Sequence, residues 1–137
     1  MSEANKQLVR RWFEEVWNQR RESLIDVMLT ADVRAFGLGD GGATLIGPEG
    51  FKTFYRSFSA AFPDLHITVH DMIAEGDKVA VRWSANMTHL GNGLGFPPSG
   101  KKAILEGTTI VTIKDGRIDE GWNYMDMTGL ITSLKTQ

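Results

Sequence analysis

Apolar residues recur every three to four positions from Leu8 onward. Val9, Trp12, Phe13, Val16 and Trp17 are interleaved with Arg10, Arg11, Glu14 and Glu15, the period of a helix with one buried face. Leu24, Ile25, Val27, Met28 and Leu29 repeat the pattern over a shorter span, so two helices are predicted to meet between Asn18 and Glu22. Val33 to Phe36 reads as a strand running into the loop Gly37-Leu38-Gly39-Asp40-Gly41-Gly42. Pro48 then opens a third helix with Phe51, Phe54, Tyr55, Phe58 and Phe62 on one side. Proline suits a first helical turn, where its missing N–H would have no partner anyway. After Pro63-Asp64 the period falls to two, with Leu65, Ile67 and Val69 set against His66, Thr68 and His70, and the chain becomes strand.

Glu75-Gly76-Asp77-Lys78 turns into a strand carrying Val79, Val81, Trp83, Ala85 and Met87. Lys114-Asp115-Gly116-Arg117 likewise joins Leu105–Ile113 to Ile118–Met125, and Asp-Gly is a strong hairpin signal. The stretch Gly91 to Gly100 is too long for a minimal turn and is expected to arch over one end of the sheet. A short terminal helix is expected from Thr128. Strands joined by short turns are antiparallel, which excludes a doubly wound parallel fold. The expected class is α+β: a cone-shaped barrel in which a curved antiparallel sheet wraps around the three helices of the N-terminal half, with a cavity between them.

The 137 residues, 42% of them hydrophobic, suit a single domain over residues 1–137. Basic and acidic side chains number 15 and 17, and the resulting charge of −2 gives no long-range attraction for nucleic acid or an anionic membrane. With no cysteine, packing alone must hold the domain, and a reducing cytoplasm is the compatible location. The N-terminal residues lack the apolar core of a signal peptide, and no run approaches the ~18 apolar residues of a membrane span.

The glycine-rich loop matches the spacing of a dinucleotide motif but lacks the helix that should follow it, so it reads as a plain loop. His66 and His70, four apart on a strand, would stand ~13 Å from each other, too far to share an ion. No metal and no other cofactor is therefore expected. Helix aromatics are first of all core, with Trp17 and Tyr55, which carry polar handles, the best candidates to line a pocket. On the strand from Val79, one face is apolar and the other carries Arg82, Ser84, Asn86 and Thr88. The outer face of a conical sheet can pack on another subunit, so the pattern fits either face inward. Asp126, beside many apolar residues, is a candidate for proton transfer, or alternatively the cap of the terminal helix.

In order along the chain, Leu8–Asn18, Gly47-Pro48-Glu49-Gly50-Phe51, Ala61-Phe62-Pro63-Asp64-Leu65, Glu75-Gly76-Asp77-Lys78-Val79, Gly95–Lys101 and Asp115-Gly116-Arg117-Ile118 resemble the SnoaL-like polyketide cyclases. These belong to the wider group of nuclear transport factor 2, ketosteroid isomerases and limonene epoxide hydrolases. The resemblance covers nearly the whole chain. It implies cofactor-free aldol ring closure by an aspartate on the last strand. Aligned on Asp115-Gly116, that aspartate's position is Asn123, whose amide has no useful basicity. A family histidine two residues earlier falls at Gly121, and polar positions of the preceding strand fall at Gly107 and Thr109.

The resemblance places Gly107, Thr109, Gly121 and Asn123 in the cavity, with Val111 and Met125 following by alternation. The expected ligand is a hydrophobic, carbonyl-bearing small molecule of polyketide type. If the protein is a cyclase or isomerase, Asp126 is the base, Asn123 and Tyr55 are hydrogen-bond partners, and Phe13, Trp17 and Trp122 form the wall. Arg82, Asn86 and Thr109 complete the expected binding set. The alternative is a non-catalytic ligand-binding or assembly domain that has lost its base. Epoxide hydrolysis, for which Arg82 and Asp126 supply only part of the machinery, ranks last. A homodimer is expected, because an outer stripe of Val79, Val81, Trp83 and Ala85 would otherwise meet water.

Overall fold

The computed structural model describes residues 2–39 and 42–136, so Asp40 and Gly41 of the glycine-rich loop lie outside the described residues. Helix α1 (Ser2–Arg11) continues through a wider π-helical segment, Trp12–Asn18. A 3₁₀ turn (Glu22–Leu24) leads into the single turn α2 (Ile25–Met28) and then β1 (Leu29–Phe36). The remaining elements are β2 (Leu45–Ile46), α3 (Gly47–Ala61), β3 (His66–Glu75), β4 (Lys78–Thr88), β5 (Lys102–Lys114), β6 (Arg117–Met125) and α4 (Met127–Lys135). Pro48 stands in the first turn of α3.

The six strands form one open sheet in the order β2-β1-β6-β5-β4-β3. Strands β3 to β6 pair antiparallel, β3 with β4 and β5 with β6 through the Gly76 and Asp115-Gly116 turns, and β4 with β5 across the long loop that contains Gly91 to Gly100. The sheet is nonetheless mixed, because β1 lies parallel to β6, with Phe36 opposite Trp122. The antiparallel expectation holds for the other pairs, including β1 with β2. β1 reaches β6 through most of the chain, and that connection leaves its direction free.

Val79, Val81, Trp83, Ala85 and Met87 are all buried within the single chain, packed with the helical aromatics, and Arg82 and Asn86 are exposed on the outer face. The helical layer supplies a dry surface large enough for the whole apolar stripe. Arg82 instead meets Asp71 on β3 at 2.7 Å, so the stripe no longer argues for a second subunit.

The helical layer is an aromatic block. Trp12 lies 5.1 Å from Phe51, Trp17 lies 4.9 Å from Tyr55, and Phe54 stacks on Phe58 at 5.4 Å between centroids. Tilted and edge contacts of this kind add about 0.5–1.5 kcal/mol each beyond the area they bury. At the end of the π-helical segment, the Asn18 amide donates to the Ile67 carbonyl (2.9 Å) and accepts from the Ile67 N–H (2.7 Å), covering the free edge of β3 as another strand would. Arg20, at φ 60°, fixes the next turn by donating to the carbonyls of Trp17, Pro63 and Leu65. The Gly91–Gly100 loop packs on the end of α3, where Leu90 and Gly91 donate to the Ala61 carbonyl, each at 3.1 Å.

Candidate functional site

Between the helical block and the inner sheet face lies a cavity of about 80 Å³. Trp12, Phe13 and Trp17 line it from the π-helical segment, Gly47, Phe51, Phe54 and Phe58 from α3, and Leu38 and Leu45 from the chain between β1 and α3. The sheet contributes residues that include Trp83, Leu105, Thr109, Val111, Gly121, Asn123 and Met125. Among the described residues, no lining side chain ionises near neutral pH.

On the sheet side of the wall the polar side chains form one connected chain of hydrogen bonds. Trp83 Nε1–H donates to Thr109 Oγ1 at 2.9 Å, and the Thr109 hydroxyl donates to Asn123 Oδ1 at 3.0 Å. Asn123 Nδ2 donates to the Phe36 carbonyl at 3.0 Å and points toward the Gly121 carbonyl at 3.5 Å. Register explains the assembly: Trp83 pairs with Gly107, and Thr109 pairs with Asn123. A Cβ on Gly107 would stand 2.4 Å from the Trp83 ring, so only glycine lets the indole lie across β5 and reach Thr109. Gly37, at φ 86°, turns the chain directly over β6, where a Cβ would stand 2.2 Å from the Asn123 carbonyl oxygen. That close approach brings the Phe36 carbonyl onto the Asn123 amide.

Of the residues singled out by sequence, Phe13, Trp17, Thr109 and Asn123 meet at this cavity, together with Gly121, Val111 and Met125. The others do not line it. Tyr55 is buried beside the helices, its hydroxyl donating to the Val16 carbonyl at 2.7 Å, and burial raises its pKa. Arg82 and Asn86 face outward, and Trp122 lies on the outer face, stacked on Phe36 at 5.4 Å with the Lys78 ammonium over its ring. Asp126 is exposed at the start of α4, where its carboxylate accepts from the Gly129 N–H at 2.8 Å. The helix-capping alternative describes its position. His66 and His70 are exposed, and His70 contacts Ser84 at 2.8 Å.

The sequence reading missed Trp83 as a member of the site. The signal was present in Gly107, since an isolated glycine inside a strand marks a place where something approaches closely.

A curved sheet with helices packed on one face and an apolar cavity between them makes an α+β cone. The chain belongs to the SnoaL-like polyketide cyclase family, whose model matches residues 7–134. Among solved structures it is similar to a provisionally named SnoaL-like polyketide cyclase of Jannaschia sp. CCS1, at 25% identity and a TM-score of 0.90, over 99% of this chain and 94% of that one. It is also similar to IdmH of Streptomyces antibioticus, provisionally named a polyketide cyclase (25% identity, TM-score 0.80, 96% and 99% covered). A third is AclR of Streptomyces galilaeus, provisionally named a hydroxylase (25% identity, TM-score 0.84, 98% and 82% covered). No curated protein matches the chain. Among the described residues, no helix is long and apolar enough to cross a membrane.

Proposed function

We propose that this member of the SnoaL-like family binds a compact apolar small molecule in its cone and does not perform the family's proton abstraction there. The observation that carries this reading is the cavity wall, which among the described residues holds no carboxylate, histidine or other group able to take a proton at neutral pH. Asn123, at the position of the family's aspartate, has its amide committed to Phe36 and Thr109. Asp126, the alternative base, is turned to the N-terminus of α4. The cavity volume of about 80 Å³ lies well below the ~300–1,000 Å³ of sites for drug-sized ligands, which favours an occupant of about one ring over a folded polyketide chain.

Mass spectrometry of small molecules extracted after native purification tests this reading. A compact apolar compound, retained by the wild type and lost on filling the cavity through Gly121→Leu, is the expected result. Turnover of a polyketide ester that survives in the wild type and disappears in Asn123→Leu or Asp126→Asn would overturn it.

The reading includes a homodimer, now on a different surface. Cross-strand register aligns Ile73, Ala80, Ile110, Trp122 and Phe36 in one row across the outer face of five strands. Ile73 is 70% exposed, and Tyr124 beside the row is 61% exposed. An apolar row of this length on an open sheet face is the kind of surface a second copy would cover.

A further inference from the structure

Hydrogen-bond direction in the cavity wall can be worked out from one end. The Phe36 carbonyl can only accept, so the Asn123 atom 3.0 Å from it is the amide nitrogen. That places Oδ1 on Thr109, and because Oδ1 can only accept, the Thr109 hydroxyl must donate to it. The indole N–H of Trp83 then donates to Thr109 Oγ1. Each N–H or O–H is thereby directed at a protein partner, the second proton of Nδ2 facing the Gly121 carbonyl at 3.5 Å. What remains toward the cavity is a lone pair on Thr109 Oγ1 and a lone pair on Asn123 Oδ1. The sheet side of the wall, at Thr109 and Asn123, is therefore an acceptor patch.

From this we infer that the ligand is a hydrogen-bond donor: a compact apolar alcohol, phenol or enol whose hydroxyl is received by Thr109 and Asn123. The inference rests on the cone being a ligand site and adds the ligand's polar class to it. It reverses the carbonyl-bearing ligand expected from sequence, because a ketone oxygen brought to the Thr109–Asn123 patch meets two oxygens. Burying that oxygen unpaired forfeits its hydrogen bonds to water. Thr109 is thereby the specificity-determining residue. Thr109→Val is nearly isosteric, removes one acceptor, and leaves the Trp83 N–H without a partner at the cavity wall. A donor is then added at the site beside the remaining acceptor, Asn123 Oδ1.

Three probes of the same ring, cyclohexanol, cyclohexanone and cyclohexane, separate the cases by ligand-observed NMR titration, with the emission of Trp12, Trp17 and Trp83 as a second readout. The wild type is expected to bind cyclohexanol about 5–10-fold more tightly than cyclohexanone, the value of one hydrogen bond. Thr109→Val is expected to narrow that preference, because the freed Trp83 N–H can serve a ketone, and Thr109→Ser, which keeps the hydroxyl, to preserve it. Cyclohexanone bound by the wild type as tightly as cyclohexanol, or an unchanged preference in folded Thr109→Val, overturns the donor-ligand inference while leaving the cone as a binding site. If Thr109→Val fails to fold, the wild-type and Thr109→Ser ratios decide. Failure of all three probes to bind overturns the proposed function itself.

Discussion

At the scale of single residues, Asn123 is where this chain departs from the chemistry its family implies, and the structure changes what its exchange should do. From sequence, Asn123→Asp is a nearly silent isosteric swap. In the structure the amide nitrogen faces the Phe36 carbonyl at 3.0 Å, so an ionised aspartate would set oxygen against oxygen in an apolar wall. The carboxyl of that variant should hold its proton to pH values well above the usual ~3.9. Its folded-state pKa is then above its unfolded value, so the variant is close to wild-type stability below about pH 4 and loses stability as pH rises through the folded pKa. Denaturant titrations at pH 4 and pH 7 should show the gap widening by about 1–3 kcal/mol, the cost of an unsatisfied buried group. A gap that is the same at both pH values would show that the site is not the dry acceptor patch described. Asp126 provides the contrast. Asp126→Ala should cost about 1 kcal/mol through loss of the α4 cap, with ligand affinity unchanged.

At the scale of elements, two glycines of the inner sheet face have opposite tolerances. A Cβ on Gly121 would find its nearest neighbours, Asn123 Nδ2 and Val111, at 3.9 Å, ordinary contact distance, whereas on Gly107 it would strike the Trp83 ring. Gly121→Ala should therefore leave the melting temperature unchanged or slightly raised while ligand affinity falls. Gly107→Ala should cost about 1–3 kcal/mol and shift the emission of Trp83 as its hydrogen bond to Thr109 is broken. The same contrast shows what sequence could and could not reveal. Helix and strand periods were legible because one face of each element is buried, and the turns because Asp-Gly and Pro-Asp leave few alternatives. Which face of β4 turned inward was not legible. Alternation fixes two sets of residues but not which set meets the helices, and that error carried Arg82 and Asn86 into the expected site and Trp83 out of it. Asn123 and Thr109 were found through the family resemblance, while their partner Phe36 was hidden because it acts through its backbone carbonyl. A further expectation belongs to the β3–β4 pair. Asp64 accepts from the Thr88 N–H at 2.7 Å and from its hydroxyl at 2.6 Å, which holds the carboxyl below its usual pKa. Its stabilisation is present above the unfolded value of ~3.9 and is lost as pH falls through the lower folded value. Asp64→Asn should flatten the acid limb of the stability profile, as measured by thermal melts between pH 2 and pH 5.

For the whole molecule, the two faces of one sheet divide the work. The inner face holds the cavity and its directional hydrogen bonds, and the outer face carries the apolar row from Ile73 to Phe36. That row is bordered on one side by Lys78, Thr112, Glu120 and Arg34, which register places in line across the sheet. Arg34 meets Glu120 at 2.9 Å, and on the other side Arg82 meets Asp71. An apolar strip between two rows of charged and polar residues has the composition of an interface core with its rim. Placing the strip against the same strip of a second copy buries apolar area on both at once, which is how a two-fold symmetric contact works. The expected species in light scattering at micromolar concentration has twice the chain mass. Ile110→Lys, at the centre of the row and on the face opposite the cavity, should yield a folded monomer that still binds ligand. A wild-type monomer across the concentration range would remove the outer face as an interface. A monomeric Ile110→Lys protein that had also lost its ligand would show instead that the two faces of β5 are coupled, with the second copy holding the sheet in the curvature that keeps Thr109 and Asn123 in register.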